Sequence, residues 1–185
     1  MKRRQRMLMV AIALAVFVVV GMSYAWLIDA SNSLRNDFTV GDIQITLTES
    51  TGSTYILTPG TDLHKDPRVT VKAGSESCWL YVLVNTPNSL EPMVSYALSA
   101  GWTPVNGTTN VYYRAVEVSQ EDQSFPVLLE DRVTVRDTVT EQQLNSLSGS
   151  PVMTFYAYAI QQIQIDEPER GWQEILAAQE QHNEE

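Results

Sequence analysis

The chain holds a single cysteine in 185 residues, Cys78, so no disulfide can close within it and its fold must rest on packing. That residue lies in SCWLYVLV, an apolar run that reads as a buried strand. Core packing is its expected role, with a reactive thiol or an intermolecular bridge as the alternative. Histidine is nearly as scarce: only His64 and His182 occur, and neither belongs to an HExxH pair, which would set two zinc ligands on one helix face with a glutamate as base. There is no GxSxG elbow, so a Ser-His-Asp triad would have to recruit His64 from the loop LHKDP. The nine glycines are scattered singly and none builds a phosphate-cradling loop after a strand. These absences leave no motif for catalysis, and no cofactor or metal is expected.

Positive charge is also in short supply, with 12 lysines and arginines against 22 acidic residues. Four of the basic residues, Lys2, Arg3, Arg4 and Arg6, stand at the amino terminus ahead of an uncharged apolar run over residues 7–21. That is the n-region and h-region of an export leader. As a helix the 15 residues would span about 22 Å, short of the roughly 30 Å hydrocarbon core; continuing through Ile28 gives about 33 Å, so length alone allows a retained anchor. Ser23 and Ala25 stand two apart, the small-x-small pattern of a signal-peptidase site. Cleavage before Trp26 is therefore expected, giving a signal peptide over 1–25 and a single domain over 26–185, with the membrane met only through an uncleaved leader. The mature part then carries 8 basic against 22 acidic residues, or −14, a charge that repels nucleic acid and anionic headgroups. About 160 residues suffice for one independently folding core.

From residue 38 to residue 165 the pattern is period two or short apolar runs broken by turn residues, which predicts an all-β antiparallel sandwich. GDIQITLTE sets Ile43, Ile45 and Leu47 on one face; RVTVK repeats the alternation; CWLYVLV is apolar on both faces and belongs at the centre of a sheet. MVSYALS, NVYYRAVEV, DRVTV and VMTFYAYAIQQIQI supply further strands. Two stretches switch to helical period. TVTEQQLNSL pairs Thr140 with Gln143 in a capping-box spacing. From about residue 167, Pro168 opens a helix with Trp172, Ile175, Leu176 and Gln179 on one stripe, ending in an acidic solvated tail. Its Gly171 costs about 1 kcal/mol relative to alanine. One or two short peripheral helices are thus expected on the sandwich.

Three side-chain groups merit attention. Asn106-Gly107-Thr108 fits a glycosylation sequon, but Asn-Gly between strands is the commonest tight-hairpin signal, and a hairpin is expected. Trp102, Tyr112 and Tyr113 flank that turn and are either a sugar-binding platform, as in a monomeric adhesin, or core and cross-strand partners. The abundant carboxylates read as a solvated surface.

The order AWLIDASNS, NDFTVGDIQITLTE and LTPGTDLHKDPRVTVKAGSESCWLYVLV, followed by GW, VNGTTNVYYRAV, FPVLLEDRVTV and FYAYAIQ, resembles the TasA and camelysin family of Gram-positive surface and biofilm-matrix proteins across nearly the whole chain. The resemblance implies a secreted jelly-roll-like sandwich, a leader handled by a SipW-type signal peptidase, location at the cell surface or in the extracellular matrix, and, in the TasA branch, assembly into fibres with copies of itself or a related matrix subunit. The camelysin branch implies a metallo-endopeptidase, which here would need zinc on His64 with Asp62 and Asp66. A physical route to a fibre exists in the freed segment WLIDASNSLRNDF: its apolar Trp26, Leu27, Ile28, Leu34 and Phe38 suit an extended strand donated to a neighbour's sheet edge. The same segment could instead form the first strand of its own sandwich.

Overall fold

A computed structural model describes residues 38–40, 42–51, 56–147 and 151–182. The order is β1 (Phe38–Val40), β2 (Ile45–Thr48), β3 (Asp62–His64), β4 (Arg68–Val71), β5 (Cys78–Asn85), β6 (Val94–Leu98), β7 (Thr103–Pro104), β8 (Val111–Val116), β9 (Gln123–Pro126), β10 (Leu128–Val135), α1 (Glu141–Asn145), β11 (Thr154–Gln161) and α2 (Pro168–His182). The strands form a five-stranded sheet in the order β1-β11-β5-β8-β7 and two three-stranded sheets, β3-β10-β6 and β2-β4-β9. Every pairing is antiparallel except β1 with β11, which is parallel. The all-β class and the two short helices are as the alternation predicts. Among the described residues no helix is long and apolar enough to cross a membrane.

β5 explains the architecture. It pairs along its whole length with β11, from Asn85 opposite Thr154 to Cys78 opposite Gln161, and on its other side with β8. Because successive side chains alternate, Cys78, Leu80, Val82 and Val84 enter the main core, where they meet Ile45 of β2, Val69 and Val71 of β4, and Val133 and Val135 of β10. The opposite face presents Trp79, Tyr81 and Leu83, and helix α2 covers it with Trp172 and Ile175. A strand covered on both faces has no polar side to show, which is why CWLYVLV has none. Cys78 is fully buried and burial pushes its thiol up to about 12, so it packs and does not react at neutral pH.

α1 forms where the capping box was expected: Thr140 Oγ1 accepts from the Gln143 amide while the Gln143 side chain accepts from the Thr140 amide. α2 docks on a narrower stripe than its sequence suggests. Trp172 and Ile175 are buried but Leu176 is 36% exposed. Gly171, itself buried, lies on the docked side, where its missing side chain makes room for the Tyr81 hydroxyl and the Ile160 methyl. Tyr81 Oη donates to the Pro168 carbonyl at 2.7 Å and Trp79 Nε1 to the Ile165 carbonyl at 2.8 Å, pinning the start of the helix to β5.

Candidate functional site: the edge beside the first strand

β11 is flanked on one side by β5 over all eight residues, but β1 on its other side is only three residues long. The parallel register sets Phe38 opposite Tyr158, Thr39 opposite Ala159 and Val40 opposite Ile160. Among the described residues the stretch Thr154–Ala157 therefore has no strand beside it on that edge. A donated strand that extended the β1 register along this edge would set its residue four positions before the one opposite Tyr158 against Thr154. Phe38 thus pairs within its own sheet, as the first described residue of its strand. Ser23, Ala25, Trp26, Leu27, Ile28 and Leu34 lie outside the described residues.

β1 sits here because the chain leaves the five-stranded sheet at once. Between β1 and β2 it is tied to the turn before β5: the Glu76 amide donates to the Asp42 carbonyl and the Gln44 amide to Ser75 Oγ at 3.1 Å. Ile43 and Ile45 then enter the main core, as the alternation in GDIQITLTE predicts, and β2 joins the sheet of β4 and β9. The edge of β11 is therefore bounded by a chain that crosses to another layer after three residues.

The zinc-candidate residues do not converge. Asp62 accepts from Thr134 Oγ1 at 2.6 Å and Arg132 at 3.2 Å, while His64 Nδ1 lies 3.0 Å from the Asp131 carbonyl oxygen. Asp66 accepts from the backbone and hydroxyl of both Ser50 and Thr51. Among the described residues no three His, Cys, Asp or Glu side chains could share a metal ion. Burial by itself would push the Asp66 carboxyl up, but these hydrogen bonds outweigh it and hold it far below the usual carboxylate range. A depressed carboxyl contributes stability above its unfolded value of about 4 and loses it as the pH falls toward its folded value. Asp66→Ala is thus expected to lower the thermal midpoint at neutral pH and by progressively less below about pH 4, which calorimetric scans of both proteins across that range would check.

The aromatic trio is also dispersed. Trp102 is 9% exposed and donates through Nε1 to the Pro126 carbonyl at 2.9 Å. Tyr112 and Tyr113 are adjacent on β8 and so point to opposite faces: Tyr112 packs against the main core, Tyr113 edge-on to Trp79 beneath α2. No single platform forms. The parity of neighbouring strand positions already contained that answer. Asn106-Gly107 does make the turn between β7 and β8, with the Thr108 amide donating to the Val105 carbonyl and Gly107 at φ +76 as its one left-handed central residue. Asn106 Nδ2 reaches Glu169 of α2 at 2.6 Å.

Two further features carried no sequence signal. The Arg114 guanidinium stacks 3.9 Å from the Phe125 ring centroid and 5.2 Å from that of Trp102, over Gly101, and its buried Nε has no hydrogen-bond partner among the described residues. Lys65, 6% exposed, holds Glu49 at 2.6 Å above the ring of Phe155. Both pairings join residues far apart in the chain. Compared with known proteins, the chain matches no family model, no curated protein sequence and no solved structure.

Proposed function

We propose that this is an exported structural protein of the cell surface or biofilm matrix, a jelly-roll-like subunit that assembles with copies of itself or a related matrix subunit. On this reading a SipW-type signal peptidase recognises Ser23 and Ala25 and frees Trp26 as the new amino terminus. Of the segment 26–38, the residues ahead of Phe38, which itself pairs with β11 of its own sheet, are then donated to a neighbour as an added strand. The observation that carries the reading is the edge of β11: β1 pairs only with Tyr158–Ile160, so among the described residues Thr154–Ala157 have no strand beside them on that edge. Backbone hydrogen bonds along that edge would supply affinity, and the alternating apolar side chains of the donor would supply specificity. The role is one of scaffolding and not of catalysis. An acidic, exposed surface suits it, since like charge keeps subunits soluble until a specific contact overcomes the repulsion.

Purified protein beginning at Trp26 is expected to form filaments or large oligomers, alone or when seeded with a related matrix protein, visible by negative-stain microscopy and sedimentation. A chain that stays monomeric at high concentration, at acidic pH and with such seeds would overturn the reading.

A further inference from the structure

A cleft of about 190 Å³ lies where Thr86, just after β5, Asn110, just before β8, and Arg136, just after β10, meet the first residues of β6. We infer that this cleft is a binding site for a single sugar ring, independent of the β11 edge and of the Trp102, Tyr112 and Tyr113 trio.

The lining argues for that class. Val94 is its one aliphatic member; the rest are Thr86, Glu91, Ser95, Tyr96, Asn110 and Arg136. The volume lies below the roughly 300–1,000 Å³ of sites for drug-sized ligands, so only a small molecule fits. One guanidinium and one carboxylate cancel in charge, which favours a neutral ligand over an anion in a chain of net charge −10. A sugar hydroxyl donates and accepts at once, and the cleft offers both partners: Glu91 only accepts, Arg136 only donates, and the hydroxyls and the Asn110 amide do either. Arg136 is steadied by its Nε, which donates to the Val94 carbonyl at 3.1 Å, leaving the terminal nitrogens of an exposed side chain for a ligand. Tyr96 lines the cleft while packing against the main core, and its hydroxyl stays protonated, pushed up to about 12 by burial and by neighbouring Tyr112.

A second observation points the same way. Thr86 is 9% exposed, and the Tyr96 side chain is the one hydrogen-bonding neighbour its hydroxyl meets among the described groups, at a geometry too poor to satisfy it. Native proteins leave few buried polar atoms unsatisfied, and this one lines the cleft. A ligand hydroxyl would complete it.

The test is saturation-transfer NMR on the exported protein, a method that tolerates large assemblies, with methyl glycosides of glucose, galactose and N-acetylglucosamine, and with glycine and glutamate as zwitterionic controls. At least one glycoside is expected to receive saturation at millimolar concentration. Thr86→Val and Arg136→Gln should each weaken it about tenfold, because a site built to hydrogen-bond a hydroxyl loses selectivity when a partner is removed. Thr86→Val should keep or raise the thermal midpoint, which separates lost binding from lost folding. No transfer to any glycoside, transfer unaffected by both substitutions, or binding of the amino acids alone would overturn the assignment and leave the cleft to water.

Discussion

Ile45→Asp unfolds the domain, whereas Leu27→Asp combined with Ile28→Asp leaves its thermal midpoint within a few degrees and abolishes filaments. Ile45 is 3% exposed, stands opposite Val71 on β4 and packs in the main core. Removing its side chain from that core forfeits about 1.5–3 kcal/mol of burial. The carboxyl that replaces it would stand in an apolar cluster, and must either remain charged at high cost or bind a proton. A domain holds only about 5–15 kcal/mol of net stability, so the two losses together approach the whole. Leu27 and Ile28 are different if they act as donors, because their apolar surface is then buried only between subunits. Each is worth about 1.5–3 kcal/mol there, at least tenfold in association per contact. Circular-dichroism melts and electron microscopy of the same two samples decide the matter. Should the Leu27 and Ile28 pair melt the domain as severely as Ile45→Asp, the segment is an ordinary core strand and strand donation is wrong.

Gly171→Ala is expected to lower the thermal midpoint by about 5–15 °C, the reverse of what the same change does in an exposed helix. There, alanine gains about 1 kcal/mol over glycine. Here the added methyl would meet the Tyr81 hydroxyl, with Ile160 Cγ2 at 3.1 Å and Ile165 Cγ2 at 3.4 Å. Tyr81 cannot swing aside, since it is fully buried and its hydroxyl is bonded to the Pro168 carbonyl. Overpacking costs about 1–3 kcal/mol and a stranded buried hydroxyl a similar amount. Less the helix gain of about 1 kcal/mol, a central net cost of about 3 kcal/mol at about 2–4 °C per kcal/mol for a domain of this size falls within the stated shift. Tryptophan fluorescence should report the same event, because Trp172 stands 5.6 Å from Tyr81 and 5.4 Å from Tyr158 between ring centroids. Tyr81→Phe introduced with Gly171→Ala should recover part of the loss, a coupling that two independent sites would not show. A midpoint that rises in Gly171→Ala would mean that α2 does not approach the sheet this closely.

Much of this fold is legible in the residues themselves. The alternation in GDIQITLTE reports that Ile43 and Ile45 face the core, and the two-sided apolarity of CWLYVLV reports a strand with neighbours on both faces. The Thr140 and Gln143 spacing marks the start of α1, and Pro168 the start of α2. Each of these signals is local: a period, a cap or a fixed backbone angle acts over a few residues, and the chain satisfies it whatever lies beyond. The Gly171 reading shows where local reasoning stops. Within its helix the glycine is only a weak point, and its value appears when Tyr81, ninety residues earlier, is set beneath it.

The candidate edge belongs to the same second kind. Nothing near Phe38 says that its partner is Tyr158, that the pairing is parallel, or that it ends after three residues. Nor does LHKDP say that Asp62, His64 and Asp66 are turned toward Thr134, the Asp131 carbonyl and Ser50 in place of one another. The cleft is assembled from residues between 86 and 136 that share no motif. By itself the sequence determined the strand class, the buried faces, the caps and the acidic character of the chain, because alternation, capping and charge are properties of neighbours. Only the tertiary structure decided which strands pair, which edge is left short and which polar groups meet, because backbone hydrogen bonds are chemically identical from strand to strand and their partners are selected by the packing of the whole core.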